Sequence, residues 1–409
     1  MLLLFVLIAG CAARDGLLVR TLEDSPPESF HGDVLDLRKR SFADADDLRR
    51  AIKKADVIYV GEFHDNPAHH DFQLRVVELT HEVDPHLAIG FEMFFEPYQN
   101  WLDLYVAGEI DEEEMLRRTQ FFTRWGWGWK WYAPIWRFAR SKGVPLVALN
   151  VPREITRAVS RGGLEALTDE QRAELPELDL TNARHREAFV AAVGDHGHGS
   201  GEAFERFYVA QTIWDEGMAD AVVRFRRGVG DGCKVVVLAG SRHVESRLGI
   251  PSRVARRDPE ARHLVLVPFV VAGDAGTPGH EPDWRALVES DRGDFVFLSG
   301  EGAGVSGTLG LELDREAAPD DGGLEVRAVV PGGPAETATI RAGDRIRAVD
   351  GRRVVDFVSF AMAAGELTVG RRLVFSLSRD DHDVETEVTV AARPSVLPSA
   401  APPPSPTPK

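Results

Sequence analysis

Four short apolar runs in this chain each stop at a residue that can bind a metal, a proton or an anion. Val57-Ile58-Tyr59-Val60 leads into Gly61-Glu62-Phe63-His64-Asp65-Asn66-Pro67-Ala68-His69-His70. Leu87 to Gly90 leads into Phe91-Glu92, and Leu146 to Leu149 into Asn150-Val151-Pro152-Arg153. Val235 to Leu238 leads into Ala239-Gly240-Ser241-Arg242-His243. Apolar strands ending at random would rarely deliver His64, Glu92, Asn150 and His243 together. Each residue also has a plainer role to weigh. Asp65 or Asn66 suits the N-cap of a helix starting at Pro67 or Ala68. His69 and His70 fall in the first turn of that helix, where at least one is expected to be solvated. Glu92 ends an apolar run, so its carboxylate is expected to be partly buried and to need a partner. Asn150 either joins the site or shapes the turn into the next helix. Gly240 suits a tight turn before His243, and His196 and His198 read as a solvent loop.

These residues need elements to hold them. Short apolar runs near residues 57–60, 87–92, 145–149, 234–239 and 263–271 alternate with helical spacing at 45–55, 68–82, 97–107, 111–119 and 133–142 and over a long segment near 202–228. This alternation predicts an α/β domain over residues 41–272, a mostly parallel sheet flanked by helices with a helical insertion. Open parallel sheets bind ligands at the carboxyl ends of their strands, where the four polar groups would stand. Residues 12–40 read as a tether, and 273–294 as a linker with one short helix around Trp284. From 295 to 391 short alternating strands predict a small β-rich domain. The proline-rich tail 392–409 is expected to be disordered.

The tryptophans add a second feature. Five of the eight, Trp125, Trp127, Trp129, Trp131 and Trp136, fall close together with Tyr132 among them. Gly126 and Gly128 argue for an irregular, aromatic-faced segment there. It could be a hydrophobic plug, a platform for a planar ligand, or an apolar dimer surface. Tyr132 carries a phenol of the kind that ligates ferric iron in some haem proteins. Composition excludes other classes. With 48 Lys and Arg against 65 Asp and Glu, a net charge of −17 argues against a nucleic-acid partner. Two cysteines, Cys11 and Cys233, rule out a disulfide scaffold and a four-cysteine zinc site.

Ten apolar residues precede Cys11, too few to cross a hydrocarbon core roughly 30 Å thick. Leu7-Ile8-Ala9-Gly10-Cys11 resembles the lipobox of bacterial lipoproteins. The resemblance implies a signal peptide over 1–11, a lipid anchor on Cys11, and a periplasm-facing protein of the bacterial cell envelope. Cys233 is then the only free thiol, expected to be a buried strand residue.

The segments around Glu62–His70, Phe91-Glu92-Met93, Ala148–Arg153 and Gly240–Val244, with Gly249-Ile250-Pro251, resemble the ChaN-like haem-binding lipoproteins. That family implies haem and iron uptake, with two haems stacked face to face in a homodimer. It also implies a tyrosine on each iron, for which the setting of Tyr132 fits best, and a histidine on a propionate, His64, His69 or His243. Glu92, Asn150 and Arg153 complete the expected haem-binding set. Tiki-type metalloproteases and erythromycin esterases are similar in placing a histidine, a glutamate and a histidine after these strands. An alternative follows, a metal-dependent hydrolase with a divalent ion such as Zn or Mn on His64, Glu92 and His243, and Glu62 as general base. Residues 295–391 resemble a PDZ domain of the bacterial protease-associated kind. Leu309-Gly310-Leu311 would then offer backbone N–H groups to the C-terminal carboxylate of a protein or peptide partner.

Overall fold

Every residue of the strands Val57–Glu62 and Leu87–Phe95 is buried, polar Glu62 and Glu92 included. Strands buried on both faces need helices above and below, which is the parallel α/β arrangement. The computed structural model describes residues 18–393 apart from 26, 127, 194–200, 231, 272–281, 303–306, 315–321 and 381. Cys11, Trp127, His196, His198 and the tail from Pro394 lie outside those residues. The chain divides into two units, with the boundary between Gly302 and Ala303.

The first unit is built on an eight-stranded sheet: β1 (Val34–Asp36), β2 (Ser41–Ala43), β3 (Val57–Glu62), β4 (Leu87–Phe95), β5 (Leu146–Asn150), β6 (Lys234–Gly240), β7 (His263–Val270) and β8 (Phe295–Ser299), in the order β2-β1-β8-β7-β3-β6-β4-β5. The strands from β8 to β5 run parallel, and β1 and β2 close the edge antiparallel. Register sets Glu62 beside Gly240, and Phe91 beside Leu238, so Glu62, Glu92 and His243 emerge at one end of three adjacent strands.

Two expected boundaries move. The tether expected over 12–40 is partly core: Leu18, Val19, Leu22, Phe30 and Leu35 share one apolar cluster with β3, β6 and β7. The linker and domain start expected at 273–294 and Phe295 also change, because β8 is hydrogen-bonded between β1 and β7. Trp284, Leu287 and Val288 of the short helix Trp284–Glu289 pack into the same core. A five-residue apolar strand after a Gly- and Pro-rich stretch carries no mark of which sheet it will join.

Helix α1 (Ala45–Lys54) carries a capping box at Asp44 and Asp47. Helix α2 (Pro67–Val83) starts at a proline behind Asn66, whose Oδ1 accepts from the Ala68 N–H at 3.1 Å. The aromatic segment differs from expectation. Gly126 turns the chain at φ +115°, but helix α3 (Trp129–Lys142) begins at Trp129, four residues before the expected start. Its early turns bury Tyr132 and Trp136 against Phe121, an apolar face that local glycines do not prevent. Cys233 is buried and free, one residue before β6.

The long helix α4 (Glu202–Val229) packs on β5 and on helix α5 (Ile250–Arg257). Gly217 lies mid-helix, where glycine costs helical stability. A Cβ there would stand 2.2 Å from Val151 Cγ1, so the bare backbone is what lets the helix close on the strand's end. Among the described residues no helix is long and apolar enough to cross a membrane.

The second unit has its own core around Leu324, Val326, Ile346, Leu373, Phe375 and Leu377. Its strands are β9 (Gly307–Thr308), β10 (Leu311–Leu313), β11 (Leu324–Val329), β12 (Arg345–Val349), β13 (Arg352–Arg353), β14 (Arg372–Arg379), β15 (His382–Thr389) and β16 (Ala391–Ala392). The main sheet runs β10-β11-β12-β14-β15, which leaves β10 at an edge. Helix α6 (Phe357–Ala364) has no charged residue and is capped by Asp356. Gly217→Ala is expected to lose about 1–3 kcal/mol through overpacking against Val151, read as a lower urea midpoint with an unchanged slope.

Candidate functional site

The carboxyl ends of β3, β4 and β6 bring together five ionisable side chains, Glu62, His64, His70, Glu92 and His243, all but His64 nearly inaccessible. Glu62 is 1% exposed, and its two oxygens are divided between two imidazoles. Oε1 lies 2.6 Å from His64 Nδ1 and accepts from the Tyr132 O–H at 3.1 Å, while Oε2 lies 2.8 Å from His70 Nδ1. Glu92 Oε2 accepts from the Gly240 N–H at 2.6 Å, and Oε1 stands 3.3 Å from His243 Nε2. A Cβ on Gly240 would lie 3.2 Å from His64 Cε1 and 3.5 Å from Glu92 Oε2, so glycine at the end of β6 admits both side chains.

Behind His243 the chain of partners continues into α4. His243 Nδ1 is 2.6 Å from Asp215 Oδ1, and Asp215 Oδ2 is 3.0 Å from His185 Nε2. His185 Nδ1 in turn accepts from the Tyr208 O–H at 3.2 Å. The neighbouring Glu216, also fully buried, faces the other way and takes Arg253, Arg256 and Arg257 at 3.3, 2.9 and 2.6 Å. Asp215 thus orients the site histidine, while Glu216 pins α5. Neither acid was singled out from the sequence. The available signal was two adjacent carboxylates inside the apolar run Ile213-Trp214 to Gly217-Met218-Ala219, where an uncompensated charge would be costly.

Electrostatics follow from burial opposed by pairing. Burial pushes Glu62 up, but the His64 and His70 hydrogen bonds overcome it and hold the carboxyl down at about 2. Burial likewise opposes charge on His243, yet the Glu92 and Asp215 carboxylates raise it to about 10. Glu92 and Asp215 are both lowered against the push of burial, the His243 charge doing most to overcome it. His64 is raised: burial opposes its charge, and the Glu62 hydrogen bond and Glu92 prevail. His243 is therefore a fixed imidazolium at neutral pH, and His64, a quarter exposed, is the ionisable group at the mouth.

Several expectations are corrected by this geometry. The alternative metal set of His64, Glu92 and His243 is not drawn together as ligands: His243 Nε2 faces Glu92 Oε1 at 3.3 Å, and its Nδ1 faces Asp215 Oδ1 at 2.6 Å. Among the described residues no group of three His, Cys, Asp or Glu side chains is arranged to hold a metal. Tyr132, expected to present its phenol to iron, is 0% exposed inside α3's packing face, and burial drives its ionisation well above the ordinary tyrosine range. His69 and His70, of which one was expected in solvent, are each 1% exposed. His69 Nδ1 accepts from the Phe63 N–H at 2.9 Å and its Nε2 stands 2.8 Å from Ser299 Oγ. Burial takes His69 down to about 4, so it is a neutral strut between α2 and β8. Asn150 ties β5 to β4 through its amide N–H to the Glu92 carbonyl at 3.0 Å, and its Oδ1 is buried without a partner among the described residues. Arg153 is exposed and donates to the Thr123 carbonyl.

The open side of the site is a strip of aromatic and cationic groups. Trp125 meets His64 edge-on at 4.7 Å between ring centroids, and the adjacent Arg124 guanidinium lies 5.1 Å from the Tyr98 ring. Tyr98 and Trp125 are both partly exposed. In the second unit, Gly310 adopts φ +68°, its N–H donates to Thr308 Oγ1 at 3.1 Å, and Leu309 is 5% exposed.

The pH dependence of stability has a definite sign. His243 is raised from 6.5 to about 10, so its contribution is complete below pH 6.5 and is lost as pH climbs toward 10. Glu62, lowered from 4.5 to about 2, contributes above pH 4.5 and loses that contribution as pH falls. His243→Gln is expected to cost about 3–5 kcal/mol near neutrality, because it strands Glu92 and Asp215 in the interior. Urea midpoints measured from pH 6.5 to 10 should decline in the parent and decline less in His243→Gln, where His64 is the raised site imidazole that remains.

Residues 48–254 match the family described as haem-binding uptake, Tiki superfamily, ChaN, and residues 307–390 match the PDZ domain. Protein RETICULATA-RELATED 5, chloroplastic, of Arabidopsis thaliana is 24% identical over 237 residues, which is 52% of this chain and 31% of that protein. The chain thus spans about a third of the length of that curated relative. Among solved structures, cofacial heme binding to ChaN of Campylobacter jejuni is similar at 21% identity and a TM-score of 0.49, covering 64% of this chain and 95% of that one. A mutant of the erythromycin esterase EreC in its open conformation is similar at 14% identity and a TM-score of 0.37, covering 61% and 80%. With half its length matched by the family and the PDZ match following it, this chain belongs to the ChaN haem-binding-uptake family of the Tiki superfamily and carries a C-terminal PDZ domain.

Proposed function

We propose that the first unit receives haem on the strip formed by Tyr98, Arg124, Trp125 and His64, and handles it for iron uptake at the cell envelope. One observation carries the choice of ligand. Of the five tyrosines, Tyr59, Tyr105, Tyr132 and Tyr208 are at most 1% exposed, and Tyr98 alone reaches the surface. A phenol that is to hold the iron would have to be reachable from the surface; Tyr98 is partly exposed, whereas Tyr132 is 0% exposed. Haem, when bound, supplies a ferric iron that accepts a phenolate. Trp125 offers a flat apolar surface beside it, and His64, held by Glu62, offers positive charge to a propionate. The fixed imidazolium of His243 stays behind the site and sets the field there.

The anchor and the partner complete the reading. The lipobox-like sequence ending at Cys11 supports a lipid-anchored protein facing the periplasm, and the family resemblance supports a homodimer with paired haems. The PDZ domain recruits a protein or peptide by its C-terminus. The peptide adds to the edge of the second unit's sheet at β10, with its carboxylate at Leu309, Gly310 and Leu311, and the uncharged helix α6 favours an apolar last residue.

Two experiments test these parts separately. In a hemin titration followed at the Soret band, Tyr98→Phe is expected to weaken binding about tenfold or more and to abolish the phenolate-to-iron charge-transfer band. Tyr132→Phe should bind haem as the parent does; undiminished binding by Tyr98→Phe would sink the assignment. For the second unit, apolar-ended peptides with a free carboxylate should bind, and the same peptides amidated at the C-terminus should not.

A further inference from the structure

A cavity opens at the opposite end of the sheet from the haem strip, at the amino ends of β7 and β8. It has a volume of about 370 Å³, at the small end of the range for ligand pockets, roughly 300–1,000 Å³. Five cations line it, Arg38, Lys39, Arg50, Lys54 and Arg262, against three carboxylates, Asp36, Asp47 and Asp294. The chain as a whole carries −17, so this excess of positive charge is a local reversal. The carboxylates are already claimed. Asp47 is shared by Lys39 and Arg50 at 2.5 and 2.7 Å, Asp294 takes both Arg38 and Arg247, Lys39 also reaches Asp36 at 3.3 Å, and Arg262 is held by Asp56 at 2.8 Å. Lys54 makes no ion pair among the described residues.

The wall of the cavity holds the second observation. His263 Nδ1 lies 3.0 Å from the Tyr59 hydroxyl. Tyr59 is 0% exposed, and burial pushes its ionisation well above the ordinary range, so it is a neutral phenol. No other acceptor reaches that hydroxyl among the described residues, so its O–H is assigned to Nδ1, which makes that nitrogen the acceptor. Burial lowers the His263 pKa, so the ring is neutral and its proton sits on Nε2. That Nε2 is buried without a hydrogen-bond partner among the described residues. A buried donor left unsatisfied is costly. A donor in want of an acceptor, on the wall of a cavity that also carries an unpaired lysine, describes a site for an oxyanion.

We propose that this cavity binds a phosphate group, as inorganic phosphate or a phosphate monoester. The oxyanion accepts from His263 Nε2–H and neutralises Lys54, the lining cation that has no ion pair among the described residues. Nothing in this reading depends on haem.

The test uses the intact chain with inorganic phosphate, glycerol phosphate and vesicles containing phosphatidic acid, against chloride at matched ionic strength. Calorimetry and the ¹⁵N shift of His263 Nε2 read binding. Inorganic phosphate is expected to bind saturably and to move the His263 signal. Lys54→Gln, a change at an exposed unpaired side chain, should weaken it about tenfold, the worth of one charge-assisted hydrogen bond. His263→Asn, which keeps a donor, should retain binding that His263→Phe loses; folding of each variant is checked by its urea midpoint. Binding of glycerol phosphate but not vesicles identifies a soluble ligand, and vesicle binding lost in Lys54→Gln identifies a headgroup. No saturable effect beyond chloride, or parent-like affinity in Lys54→Gln, overturns the proposal.

Discussion

Three carboxylates buried at one end of a sheet set the terms for everything around them. Glu62, Glu92 and Asp215 sit where water cannot solvate them, and each stays ionised only because an imidazole lies against it. Removing either partner would leave an unpaired charge, far more costly than never having buried the pair. The strands β3, β4 and β6 and the helices α2 and α4 are thereby fixed relative to one another by charge as well as by apolar packing. The mouth inherits its chemistry from that interior. His64 is biased toward its cationic form by Glu62, and His243 is so fully committed that it serves as a fixed charge.

A buried network of acids and imidazoles is not itself a binding site. It provides an orienting field at the strand ends, and the residues above it decide what that field acts on. Here the layer above is Tyr98, Arg124 and Trp125, flat and cationic, which suits a planar dianionic ligand.

Much of this was legible in the sequence, and the failures have physical causes. The strand ends Glu62, His64, Glu92 and His243 were readable because an apolar run stopping at an ionisable residue is a local pattern. Asn66 capping α2 was readable for the same reason. Asp215 and His185 were not, since their partner lies on another element and no spacing within α4 announces it. Tyr132 misled because a phenol among tryptophans looks like a platform from sequence, whereas the helical phase of α3 turns it inward. The placement of β8 failed because sheet membership is a tertiary fact: Phe295–Ser299 is as apolar as the strands of the second unit, and only pairing with β1 and β7 assigns it.

That pairing has a consequence for how the molecule comes into being. β8 separates β1 from β7, and its last residue, Ser299, meets His69 on the helix that carries the site. The β1–β2 hairpin, residues 34–43, therefore has no sheet to join until the chain has been made as far as residue 299. Contacts this distant in sequence are slow to form, and the exposed edge of a waiting parallel sheet invites wrong partners.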